Sequence, residues 1–307
     1  MVARDVQKHP GWGEETQGGG GCRAQAPTPA TVQQTEKWAR VMLNATGYLP
    51  KRFERKYIIS EARAAAIADR IRPHVTPDAF LRPDQPRGYP VYSLYLDSPN
   101  LSLYEATAQG KKNRFKLRIR YYDERPDSPI FCEIKRRLDQ VVRKQRAGVK
   151  RASLSRLLNG AAPRREDLLD RKQNYYAVQE FCRLRQALKA HGTLIVGYRR
   201  AAYLDSITGT ARLTFDRDLR AKSFDPDQGL TTDLPPVTPG DRGVILEMKY
   251  VDRLPQWMQQ LIHGFQLERQ SVPKYGWSVE SIGEPIVISS TARRWLRSAA
   301  RIGEVRT

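Results

Sequence analysis

The chain has 307 residues, 40% of them hydrophobic and 28% charged, which is enough for one large domain or two modest ones with a real core. Its 53 basic and 33 acidic residues leave a net charge of +20, so an anionic partner is expected: nucleic acid, polyphosphate, a nucleotide or acidic lipid. Three separated cysteines and four scattered histidines exclude a disulfide framework and a His-centred metal site, and no apolar run reaches the length of a membrane span.

Residues 1–48 are rich in Gly and Pro, poor in apolar residues and nearly balanced in charge. They read as a disordered tail with a short helix near 35–42. The N-terminus has no apolar segment of a secretory signal, so a reducing cytoplasm is the expected location. The excess positive charge therefore falls in a domain expected over 49–290.

That domain opens with a strand, Arg52–Ile59, then Ser60 as N-cap of a helix over 61–72 that Pro73 ends. A Pro-rich loop spans 77–90. A strand is expected at 92–97, a short helix at 101–107, and strands at 114–122, 130–137 and 140–147. The stretch 152–192 reads as helical. Strands return at 194–205, 211–218 and 244–250, and Pro255 opens a helix through about 265. Ser271–Tyr275 reads as a loop carrying a cation. Residues 291–307 read as a basic C-terminal helix and tail. The class is α+β, with strands in consecutive pairs that favour antiparallel pairing.

The strands share a charge pattern. In Phe115–Tyr121, Lys116, Arg118 and Arg120 occupy one face and Phe115, Leu117, Ile119 and Tyr121 the other, because side chains alternate along a strand. Other strands repeat it: Arg52, Glu54 and Lys56; Glu133, Lys135 and Arg137; Lys144 and Arg146; Tyr198 and Arg200; Arg212, Thr214 and Asp216; Glu247 and Lys249. One reading is cross-strand salt bridges on a wet surface. The other, favoured because cations outnumber acids on so many strands, is a closed antiparallel β-tunnel whose polar face points inward and holds phosphates. Arg forks bind phosphate oxygens in pairs and Lys supplies a compact charge. The few carboxylates among them are hard ligands for Mg²⁺ or Mn²⁺.

Six segments carry a resemblance to a known family: Arg52-Phe-Glu-Arg-Lys-Tyr, Tyr92-Ser-Leu-Tyr-Leu-Asp-Ser-Pro, Asn113-Arg-Phe-Lys-Leu-Arg-Ile-Arg-Tyr, Phe131-Cys-Glu-Ile-Lys-Arg, Leu246-Glu-Met-Lys-Tyr and Val272-Pro-Lys-Tyr. In order and spacing, over roughly 50–285, they resemble the VTC domain, the polyphosphate polymerase domain of the vacuolar transporter chaperone family. That family belongs with the triphosphate tunnel metalloenzymes. The resemblance implies a closed antiparallel tunnel with helices outside, and transfer of the terminal phosphate of ATP to a polyphosphate chain with a divalent metal, Mn²⁺ or Mg²⁺. It implies a catalytic set of Lys56, Arg118, Arg120, Lys135, Arg200 and Lys249. Further phosphate contacts are expected from Lys116, Lys144, Arg146, Arg212 and Lys274. Metal ligation is expected from Glu247, with Glu133 and Glu54 beside it, and Tyr95 and Tyr104 are expected at the tunnel mouth. The superfamily also holds tripolyphosphatases and nucleoside triphosphatases, which stay open as alternatives, as does a binding module without turnover. The sequence shows no nucleic-acid-binding motif, so nucleic acid is not the expected partner. The phosphate-sensing SPX domain and the membrane domain of the eukaryotic proteins are not visible in this sequence. Gly276 stands where the eukaryotic motif has serine.

Overall fold

The computed structural model describes residues 52–139, 141–169, 175–237 and 243–283. The tail over 1–48, the helix expected at 35–42 and the basic helix expected at 291–301 lie outside them.

Strand β1 (Arg52–Ile59) leads into helix α1 (Glu61–Ile71), where the Ser60 hydroxyl accepts a hydrogen bond from the Arg63 amide at 3.2 Å and Glu61 sits at the positive end of the helix dipole. Strands β2 (Val75–Pro77) and β3 (Tyr89–Asp97) follow, then the short helix α2 (Ser102–Ala108). Strands β4 (Arg114–Tyr121), β5 (Ile130–Leu138) and β6 (Val141–Val149) run as a meander. Helices α3 (Leu154–Leu158) and α4 (Tyr175–Ala187) precede the long strands β7 (His191–Asp205) and β8 (Ala211–Ser223). Strand β9 (Val244–Val251) and helices α5 (Gln256–Gly264) and α6 (Lys274–Ile282) complete the described chain.

All the described strands form one antiparallel sheet in the order β1-β9-β8-β7-β3-β4-β5-β6, with β2 on the side of β7. Helices pack on its apolar face in two clusters. Leu94, Leu117, Ile119 and Ile134 lie with Val178 and Phe181 of α4. Tyr57, Leu213, Phe215, Leu246 and Met248 lie with Ile67 of α1 and Leu261 of α5. Side chains alternate along each strand, so the ionic residues lie on the opposite, inner face. Helix α6 is the exception among the helices. Tyr275 and Val279 pack on Tyr95, Leu194 and Val196, which belong to that inner face.

The tunnel is antiparallel with its helices other than α6 outside, but its ladder does not close by hydrogen bonds: β1 and β6 are its two ends. Side chains span the gap instead. Lys135 on β5 donates to Glu54 on β1 at 3.3 Å. This ion pair joins β1 to β5, the strand next to the other edge, β6.

Three local expectations are corrected. The stretch 152–192 is not one helix: α3 ends near Gly160, whose φ of +95° suits glycine, and 191–192 already belong to β7. Lys274 and Tyr275 are not loop but the first turn of α6. The Pro-rich segment contains β2 at its start and the first residues of β3 at its end.

Candidate phosphate-binding tunnel

Register places the inner charges in rows. Lys116, Lys135 and Lys144 are cross-strand neighbours on β4, β5 and β6, and Arg118, Glu133 and Arg146 form the next row. On the other wall Glu54 faces Lys249, which faces Arg212, while Lys56 faces Glu247, which faces Thr214. Arg200 of β7 faces Asp216 of β8.

Four carboxylates organise this interior. Glu133, 1% exposed, takes Arg118 at 2.7 Å, Lys144 at 2.8 Å and Arg146 at 3.5 Å. Asp216, also 1% exposed, takes the Arg200 fork at 2.6 and 2.7 Å and Lys274 of α6 at 2.7 Å. Glu247 takes Lys249 at 3.0 Å and Arg200 at 3.5 Å. Glu54 takes Lys56 at 2.9 Å besides Lys135. Burial would raise the pKa of Glu133, but Lys144, Arg118, Arg120 and Arg146 hold it well below the usual carboxylate range. Glu247 is likewise opposed by burial and held far down by Lys249, Lys56, Arg200 and Lys274. Asp216 is held at about 2 against its burial, chiefly by Arg200 and Lys274.

The cations still exceed the acids. Among the described residues Lys116 and Arg120 form no direct ion pair with a carboxylate: the Lys116 ammonium lies 5.9 Å from the Tyr275 ring centre, and Arg120 donates to the Tyr198 hydroxyl at 3.1 Å. The Arg120 Nε is buried without a hydrogen-bond partner. Burial and the neighbouring Lys56 and Lys135 push Lys116 down to about 8. Burial and the surrounding arginines push Lys144 down to about 7, despite Glu133. Tyr95 falls to about 8 because Arg118 and Lys116 outweigh its burial. Self-repulsion of this kind favours an anion between the cations.

Of the expected residues, Lys56, Lys249, Glu54 and Glu247 meet on the wall of β1 and β9, where Lys135 of β5 reaches Glu54, and Arg118, Arg120, Lys144, Arg146 and Glu133 meet on the wall of β4 to β6. Arg200 and Lys274 join at Asp216. Lys116 sits between the walls, depressed by charges from both. Arg212 is instead drawn to Asp78 at 2.7 Å. Glu133 lies among β4 and β6 cations, apart from Glu54 and Glu247, and no group of three or more His, Cys, Asp or Glu among the described residues is arranged around a metal position. Burial and the Glu247 charge both raise the Glu54 carboxyl, but Lys56, Lys249 and Lys135 hold it below its ordinary value. Beside Glu247, the Thr214 hydroxyl is buried with no partner.

Tyr95 stacks on Tyr275 at 4.7 Å and Tyr104 meets Tyr275 edge-on at 6.4 Å. Asp97, fully buried, accepts the Tyr275 hydroxyl at 2.8 Å and the amides of Ser98, Leu103 and Tyr104. This latch fixes α6 against the tunnel and was not anticipated. Asp216 was legible as the third member of Arg212-x-Thr214-x-Asp216. Asp78 gave no signal, because it comes from a Pro-rich loop far from its partner in sequence.

A scan against family models matches the VTC domain over residues 51–282. The chain belongs to the VTC domain family. Among solved structures, this VTC domain is similar to a Bacillus halodurans protein assigned as an adenylate cyclase, at 10% identity and a TM-score of 0.43, covering 73% of this chain and 94% of that one. It is also similar to a Hippeastrum protein assigned as an adenylyl cyclase and described as having a dominant triphosphatase activity, at 14% identity and a TM-score of 0.39, covering 74% and 93%. No curated protein sequence matches this VTC domain. No helix among its described residues is long and apolar enough to cross a membrane.

Proposed function

We propose that the tunnel binds the triphosphate of ATP and transfers its terminal phosphoryl group, with a polyphosphate chain as acceptor. The observation that carries this reading is the pair of inner cations in no direct ion pair with a carboxylate, Lys116 and Arg120, in an interior where the other cations already surround four acids. Membership of the VTC domain family supports it.

Phosphoryl transfer asks little covalent participation of the protein; positioning and charge neutralisation suffice. Arg118 and Arg120 are placed to fork the phosphate oxygens, and the unpartnered Arg120 Nε is a donor with nothing to give up on binding. Arg200 and Lys274 meet the phosphates from the β7 and α6 side, anchored by Asp216. Lys56 and Lys249 line the β1 and β9 wall, and Lys135 reaches it from β5 through Glu54; together they neutralise charge there. Lys144 and Arg146, held by Glu133, extend the cationic track for an acceptor chain. Glu133 acts as an orienter of cations. Arg212, committed to Asp78, belongs to the rim.

The donor set fits a divalent cation on the β1 and β9 wall. Glu54 and Glu247 are hard oxygen ligands that repel one another, and the Thr214 hydroxyl beside them lacks a partner. These residues would hold Mn²⁺ or Mg²⁺, which when bound neutralises charge on the phosphate oxygens.

Incubation of the purified protein with ATP and Mn²⁺, followed by electrophoresis, tests the reading. Long-chain polyphosphate is the expected product. ADP and phosphate without polymer would reassign the tunnel to triphosphate hydrolysis, and binding without turnover would make it a binding module.

A further inference from the structure

Ser93 of β3 faces Arg120 of β4 across one ladder and Val196 of β7 across the other. Arg120 in turn faces Phe131 of β5. These four side chains form one row on the inner face, because Val196 belongs to that face, as does Tyr95 two residues on from Ser93. The row holds one cation, one hydroxyl and no acid.

It is also the most buried of the cation-bearing rows on β4 and β5. Exposure falls step by step along these strands: Arg137 is exposed, Lys116, Lys135 and Arg118 are half-buried, and Arg120 and Phe131 are buried. Ser93 is 1% exposed and Arg120 7%.

Two polar atoms of the row are unsatisfied. The Ser93 hydroxyl and the Arg120 Nε are both buried without a hydrogen-bond partner among the described residues. Directly opposed residues have Cβ atoms about 4.5–5.5 Å apart, yet these two groups do not satisfy each other. The Arg120 Nη2 is turned to the Tyr198 hydroxyl. Glu133, the carboxylate whose charge acts on Arg120, is itself held by Arg118, Lys144 and Arg146. An orphaned buried hydroxyl costs free energy that an alanine of nearly the same size would avoid. Packing therefore does not account for a serine here, whereas an acceptor shared by both donors does.

Resting on the reading of the tunnel as a triphosphate site, we infer that Ser93 is a further phosphate-binding residue: its hydroxyl and the Arg120 Nε donate to the same phosphate group. A neutral donor at this depth adds grip without adding to the repulsion that Arg118 already exerts on Arg120. Its hydrogen bond to a charged oxygen is of the stronger kind.

Calorimetric titration of the full chain with tripolyphosphate, without divalent metal and alongside thermal unfolding of the ligand-free protein, tests this. Ser93→Ala should weaken binding about tenfold, while the melting temperature holds or rises. Arg120→Lys keeps the charge and removes the Nε donor. On that background Ser93→Ala should cost clearly less than on the wild type, because two donors to one phosphate are coupled. Unchanged affinity of Ser93→Ala would overturn the assignment and leave the hydroxyl to a water. A lowered melting temperature with affinity kept, or a failure to fold, would make Ser93 structural and overturn it as well. Equal losses in both backgrounds would overturn the shared seat. Each of these results leaves the tunnel standing as long as the wild type binds tripolyphosphate; if the wild type does not, the reading of the tunnel falls too.

Discussion

Lys116 shows how a side chain can cost the empty protein stability and serve the bound one. Its ammonium is pressed to about 8, below the ordinary lysine value, because burial and like charges disfavour it. A lysine lowered by folding penalises the fold fully below its folded pKa, and the penalty fades as pH rises toward the unfolded value. Lys116→Met should therefore raise the melting temperature at pH 7 by a few degrees, with the gain shrinking above pH 8. The same change should weaken metal-free tripolyphosphate binding at least tenfold and remove part of its decline between pH 7 and 9. Calorimetry on both proteins checks both halves; a less stable variant with unchanged affinity would show Lys116 to be structural. Glu247 has the opposite sign. Its pKa is held far down by Lys249, Lys56, Arg200 and Lys274 against burial, so its contribution is present above the unfolded carboxylate value and is lost as pH falls below it. Glu247 holds Lys249 and Arg200, so Glu247→Gln should weaken both contacts. A loss of about 1.5–3 kcal/mol in urea unfolding is expected, smaller than for an isolated buried pair because Arg200 keeps Asp216. Mn²⁺ binding should fall with it, and unchanged Mn²⁺ affinity would remove Glu247 from the metal site.

At the scale of elements, the strands were far more legible than the helix that completes the site. Period-two alternation in β4, β5 and β9 has a single physical meaning, one face in oil and one in charge, and the register bears it out: Leu246 and Met248 lie in core while Glu247 between them meets Lys249 and Arg200. Helix α6 offered no such pattern. It is nine residues long, begins after Pro273 and contains Gly276, so local propensity argues against it. Tertiary contacts hold it in place, above all Tyr275 between Tyr95 and Asp97. Tyr275→Phe keeps the ring stack and deletes the hydroxyl bond to buried Asp97, at a cost of about 1–3 kcal/mol. Because Lys274 is the preceding residue, the loosened helix should raise the KM for ATP more than it lowers kcat. Steady-state kinetics of this variant test that; an unchanged KM would separate the latch from the site.

The whole molecule joins two kinds of order. Helices seal the outer apolar face in two clusters, and the inner face carries more cations than carboxylates. Tunnel architecture was legible because the charge rows recur on strand after strand. Closure was not, because it depends on which edges meet, and here β1 and β6 end the ladder while Glu54 and Lys135 bridge across. An ion pair is screened by salt where backbone pairing is not. Tripolyphosphate affinity should accordingly fall steeply between 50 mM and 500 mM salt, together with a modest drop in melting temperature. Salt-independent affinity would contradict a binding site made of charge. Transfer of the terminal phosphoryl group of ATP onto a phosphate chain in this interior, as proposed, is tested most directly by labelled ATP with Mn²⁺. ATP labelled at its γ-phosphate should yield labelled long-chain polyphosphate, ATP labelled at its α-phosphate should yield unlabelled polymer, and Arg120→Met should abolish both products while remaining folded. Release of all the γ-label as free phosphate, with no polymer in either reaction, would contradict the account.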